Sequence, residues 1–285
     1  MKSFALLAAA FISCLSWTAP ASADDSTLAK IKQSRTIKLG YREQSIPFSY
    51  VGDDRQARGY SIDLCRRVVD AVAAHLQLAK LDVRWVPVSA QSRFEALKRG
   101  DIDLECGNTT QTLSRRADFD FSLMTYVDGA GLLFRENERP ASLNEIKDQG
   151  VAVVTGTTTE KTLDDLVRSG KLGVRVLKVA DHDAAIKALS NKAAIAYAAD
   201  RTILISSALL RGQGKGFELA TVQFTYEPYG LMMRRDADFR LLVDRVLAGL
   251  YRSGEIGSIM QTWFGSLGDP GESLRAMVLL NGLPE

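Results

Sequence analysis

Cysteine and histidine are both scarce, with three Cys and two His in 285 residues. So few thiolate and imidazole ligands make a poor set for a metal site. Excess charge of one sign is lacking as well: 36 Lys and Arg stand against 34 Asp and Glu, a formal net charge of +2. Counterion-release binding needs a concentrated basic face, so the balance argues against a nucleic-acid partner. After residue 23 no segment holds about 18 unbroken apolar residues, so the mature chain is expected to be soluble rather than membrane-spanning. There is no low-complexity tract and no repeat at solenoid spacing. Nor is there a Gly-x-Ser-x-Gly elbow or a phosphate loop with its lysine, and no cofactor is implied.

What is present begins with an export signal. Lys2 precedes an apolar run from Phe4 to Trp17, and Ala21-Ser22-Ala23 places small residues at the −3 and −1 positions of a cleavage site. Residues 1–23 are therefore expected to be removed on export to the periplasm. Phe11-Ile12-Ser13 before Cys14 is a poor lipobox. The remaining 262 residues suffice for two domains or one large one. Loss of Cys14 leaves Cys65 and Cys106, and an oxidising compartment predicts a disulfide between them.

From residue 35 the pattern alternates. Thr36–Tyr41 reads as a strand and 60–76 as a helix, with Leu64, Val68, Val72 and Leu76 on one face. Residues 81–88 alternate around Val83 and Trp85 as a half-buried strand does, and 92–98 reads as a helix that Gly100 ends. A second series starts at Val151, with helices over 158–167 and 183–189, a strand over 174–179 and an apolar run over 193–199. Two amphipathic helices follow. One puts Leu242, Val246 and Leu250 on a face, the other Ile256, Ile259 and Trp263. The order predicts two α/β lobes built from parallel βαβ units. Residues 24–125 and 226–285 form one lobe and 126–225 the other, with 121–128 and 223–230 as paired crossings.

Two segments point to a ligand. In each, a strand-like run ends in glycine and threonines that open a helical stretch: Gly107-Asn108-Thr109-Thr110 with Arg115 a turn further on, and Gly156-Thr157-Thr158-Thr159. Helix starts present unpaired N–H groups and a partial positive charge, and threonine hydroxyls can donate to a carboxylate or phosphate. Threonines also simply cap helices, so the pairing of the two clusters carries the inference of one shared anionic ligand. Both clusters fall beyond the carboxyl ends of strands, where open α/β sheets bind ligands.

The segments GYREQSIPFSY (40–50), GYSIDLCRRVVDAV (59–72), DLECGNTTQTLSRR (103–116), VVTGTTTE (153–160) and SGEIGSIMQTWF (253–264) resemble the family 3 periplasmic solute-binding proteins for polar amino acids. The likeness is greatest to the glutamate/aspartate-binding proteins of ABC importers. It spans nearly all of the mature chain and fades after Gly268. It implies a monomer of two lobes that close on an acidic amino acid and dock on permease subunits in the inner membrane. By position, Arg115, Thr110 and Thr158 correspond to residues that hold the ligand α-carboxylate, and Asp200 to the acceptor of the α-ammonium group. Arg42 and Arg93 match the pair that holds the distal carboxylate, and His182 a histidine near it. Phe48 and Tyr60 fall where aromatic walls line such pockets, or in the core. Ala90 and Asn108 stand where the nearest relatives carry serines against the side-chain carboxylate, so Asn108 is a ligand candidate through its amide. The resemblance leaves two other functions open. A periplasmic dehydratase shares the fold and would need Glu160, Asp200 or His182 as acid or base. A sensor would act through a separate partner.

Overall fold

The computed structural model describes residues 26–211, 216–268 and 271–285. The expected signal segment lies outside them. Two five-stranded sheets form two lobes. In the first lobe the order is Asp82–Pro87, Thr36–Tyr41, Leu104–Cys106, Met232–Met233, Asp120–Phe121. In the second it is Arg175–Val179, Gly150–Val154, Ala196–Asp200, Ala130–Arg135, Phe217–Leu219. Between them Tyr126–Asp128 pairs antiparallel with Glu227–Tyr229.

The first three strands of each sheet are parallel, as βαβ connections require. The pattern is not parallel throughout. Met232–Met233 and Ala130–Arg135 enter their sheets straight from the crossings, without an intervening helix, and pair antiparallel with the central strands. Asp82–Pro87 lies at a sheet edge and is more exposed than its alternation predicts, with Val83 38% accessible.

Helix Tyr60–His75 buries Leu64, Val68 and Val72 as its periodicity requires, and Leu76 is its C-terminal cap. Its Cys65 is joined to Cys106 at the end of a central strand. Gly100 closes helix Ser92–Arg99 in the left-handed conformation that a side chain resists, at φ 74°. Helix Ala237–Ser253 is turned from the expected face. It buries Phe239, Val243, Leu247 and Leu250, while Leu242 and Val246 sit at the margin of the core. In helix Glu255–Phe264 the buried positions are Ile256, Ile259 and Phe264, and Trp263 keeps its indole N–H on Asp63 at 2.7 Å.

The expected helix start at Gly107 is absent. Strand Leu104–Cys106 runs into an irregular segment in which Thr110 bridges to Tyr229, and a four-residue helix, Leu113–Arg116, begins only after its cap Thr112. The second cluster matches its pattern. Thr157 caps helix Thr158–Arg168 by accepting from the Glu160 N–H, while the Glu160 carboxylate takes the Gly156 N–H at 2.7 Å.

Phe48 and Tyr60 are wholly buried, in an aromatic cluster with Tyr126, Tyr229 and Phe264. They belong to the core under the crossings and do not line the cleft.

Candidate functional site

The parallel strands of both sheets point their carboxyl ends at one cleft. Arg42 follows the strand ending at Tyr41, and its N–H is held by Ser49 Oγ at 2.9 Å. Arg93 stands in the first turn of its helix, and Asn108, Thr110 and Arg115 follow the strand ending at Cys106. From the second lobe come Thr158 at a helix start, His182 at another, and Asp200 at a strand end. All eight residues singled out in the sequence line one cavity, together with Val154, Thr157, Thr159, Ala198 and Ala199. That cavity measures about 20 Å³, room for about one water. An amino acid enters only if the lobes part.

Contacts across the cleft are direct. Arg93 and Arg115 of the first lobe each donate to the Gly156 carbonyl of the second at 3.4 Å. Gly156 has φ +84°, and a Cβ there would stand 2.9 Å from the Ala90 carbonyl oxygen, so the approach itself requires glycine. Both guanidiniums lie over the Phe94 ring, at 4.8 and 5.2 Å. Arg115 also donates to the Thr110 carbonyl at 2.8 Å.

Arg93 is a charged neighbour of both Arg42 and Arg115. Burial and the neighbouring Arg93 lower Arg42 and Arg115 to about 10, and burial lowers Arg93 as well. Arg42 and Arg115 therefore stay cationic at neutral pH. Among the described residues Arg93 Nε, Asn108 Oδ1 and Glu105 Oε1 are buried without a hydrogen-bond partner. The first two line the cavity, and unpaired buried polar groups are costly unless something binds them.

The opposite wall is acidic. Removal from bulk water, with Glu227 and Asp128 nearby, pushes the Asp200 carboxyl well above the ordinary range, although the Tyr229 and Thr159 hydroxyls donate to it. Burial pushes Asp128 up to about 6. His182 is buried, with Nδ1 on the Tyr197 hydroxyl at 2.5 Å.

Glu105 and Glu227 were not anticipated from the sequence. Glu105 lies wholly buried under the arginines and accepts from the Thr109 hydroxyl at 2.8 Å. Glu227, 1% exposed, comes from the second crossing. In Leu104-Glu105-Cys106 and Glu227-Pro228-Tyr229 a carboxylate sits within an otherwise apolar stretch, and that was the available signal.

Residues 37–266 match the bacterial extracellular solute-binding proteins, family 3. The chain belongs to this family. Among similar members, an L-glutamate/L-aspartate-binding protein of Pseudomonas aeruginosa is 34% identical over 91% of this chain and 87% of its own length. Glutamate/aspartate import solute-binding proteins of Salmonella typhimurium and Escherichia coli are 33% and 32% identical, over 86% of this chain and 81% of theirs. A cysteine-binding protein from Campylobacter jejuni superposes with a TM-score of 0.75 at 21% identity, over 87% of this chain and 97% of its own. An ancestral amino acid-binding protein, a precursor of cyclohexadienyl dehydratase, does so at 0.71 and 23%, over 84% and 99%. At those identities the likeness shows the two-lobed fold. The family is extracellular, and among the described residues no helix is long and apolar enough to cross a membrane.

Proposed function

We propose that this solute-binding protein takes an acidic amino acid, glutamate, aspartate or a close analogue, between its lobes and delivers it to a membrane permease. The observation that carries the proposal is the pairing of three arginines on one wall with Asp200 on the other. An α-amino dicarboxylate offers two anions and one cation to those groups. On this reading Arg115 takes the α-carboxylate, Arg42 and Arg93 the distal one, with Asn108 and His182 beside them, and Asp200 the ammonium; their lining of one cavity supports it. Charge-assisted hydrogen bonds of about 1.5 to 3 kcal/mol each, summed over three guanidiniums and one carboxylate, reach the scale of the about 8 kcal/mol of micromolar binding, and desolvation and lobe ordering take up any excess. A neutral side chain would bring no anion of its own, leaving Glu105 beneath to balance the two buried cations Arg42 and Arg93.

The test is calorimetric titration of unfolded, dialysed and refolded protein with glutamate, aspartate, glutamine, asparagine and glutarate. Binding of glutamate or aspartate well above the neutral pair supports the proposal, and equal binding of the amides overturns the acidic preference. A catalytic function has one observation in its favour, the raised Asp200 carboxyl in a closed cleft. Recovery of the ligand chemically unchanged after prolonged incubation would dispose of it.

A further inference from the structure

Thr110 belongs to the first lobe, Thr158 to the second and Glu227 to the crossing between them. Glu227 Oε2 accepts from the Thr110 hydroxyl at 2.5 Å and from the Thr158 hydroxyl at 2.7 Å, and the two hydroxyl oxygens are 3.4 Å apart. A hydroxyl has one proton and two acceptor lone pairs. With both protons taken by one carboxylate oxygen, only lone pairs remain to face the cleft. Such hydroxyls receive an N–H and repel a carboxylate, which is the opposite polarity from that expected on resemblance alone.

We propose that Glu227 is a positioning residue that fixes Thr110 and Thr158 as hydrogen-bond acceptors and so makes the site select ligands bearing an ammonium group. The inference rests on the amino-acid function proposed above and deepens it. Its surroundings agree. Asp128 lies directly across the crossing ladder from Glu227, and Asp200 lines the same cavity. Like charges opposed on a ladder are unfavourable, and a cation held among them relieves the repulsion. The ligand α-carboxylate then falls to Arg115 and to the N–H groups at the start of helix Thr158–Arg168. Deaminated dicarboxylates meet two lone pairs and the acidic wall where an amino acid places its ammonium.

Glu227→Met removes the acceptor at nearly constant volume, while Glu227→Gln keeps an oxygen without the charge. L-glutamate and glutarate are titrated into the wild type and both variants. E227M is expected to bind glutarate at least about tenfold more tightly than the wild type and glutamate about tenfold less tightly, the worth of one net hydrogen bond, with E227Q between. Parallel weakening of both ligands, or no gain of glutarate binding, overturns the proposal. Should E227M fail to fold, Thr158→Val decides. An accepting hydroxyl predicts loss of glutamate affinity with glutarate binding unchanged or tighter, whereas a hydroxyl that donates to a carboxylate predicts loss of both. A wild type that binds no amino acid removes the functional proposal and this one with it. A wild type that binds glutamate, with variants that shift both ligands alike, removes only this one.

Discussion

The two walls of the cleft respond oppositely to the same desolvation. On the first lobe, burial lowers the arginines, but from a starting value of 12.5 to about 10 for Arg42 and Arg115, so the charge survives at any physiological pH. On the second lobe and the crossings, burial raises Asp128 from 3.8 to about 6 and Asp200 well above its usual range. The cationic wall is permanent and the anionic wall is titratable. They differ mechanically too. The arginines ride on one lobe, braced by the Cys65–Cys106 disulfide, whereas Asp200, Asp128 and Glu227 are divided between the other lobe and the crossings. Closure brings a fixed positive surface onto an adjustable negative one. A ligand that carries both charges favours that arrangement because its contacts differ between the open and closed states.

Removing the cation that neighbours both of the others should break the comparison most severely. Arg93→Ala is expected to cost acidic-ligand binding about 4 to 5 kcal/mol, the loss of a partner from a desolvated charge pair, with a much smaller loss for any neutral ligand. Titration of glutamate and glutamine against the variant checks this, and equal losses would refute the role. Next comes the brace. Opening the loop between Cys65 and Cys106, 41 residues apart, with C65S/C106S should lower stability by about 4 kcal/mol. Denaturant unfolding read by tryptophan fluorescence measures it.

The titratable wall is sharpened by Asp128→Asn. A carboxyl whose folded pKa lies above its unfolded value contributes stability below the unfolded value and loses it as pH rises through the folded one. For Asp128 that window runs from 3.8 to about 6. The melting temperature of the wild type minus that of D128N should therefore fall as pH rises across it, and a flat difference would mean that Asp128 ionises as freely as in water. The smallest effect is expected from Tyr229→Phe, which removes one hydrogen bond from Asp200. Glutamate affinity should drop by about 1 kcal/mol with glutarate unaffected, as competition titration would show.

Periodicity and local chemistry were enough to set out many of the elements, though not helices Thr27–Ser34, Arg201–Arg211 and Gly271–Asn281. The stripe Leu64, Val68, Val72, the Gly100 stop and the Thr157–Glu160 cap act within a few residues, so the chain itself determined them. The eight candidate residues read from the resemblance line one cavity because they lie in the loops and first helical turns beyond strand ends, which the two-lobed arrangement turns toward the cleft. Only the tertiary structure decided the rest. Gly107–Thr112 looks like a helix start, yet pairing of Thr110 with Tyr229 holds it irregular. Leu242 and Val246 share a face with Leu250, but packing turned the helix to bury Val243 and Leu247. Phe48 and Tyr60 went to the core under the crossings. Glu227 stands 69 residues from Thr158 and 117 from Thr110. No local rule acts over such separations, and folding alone placed one carboxylate oxygen between two hydroxyls and so decided which way their protons point.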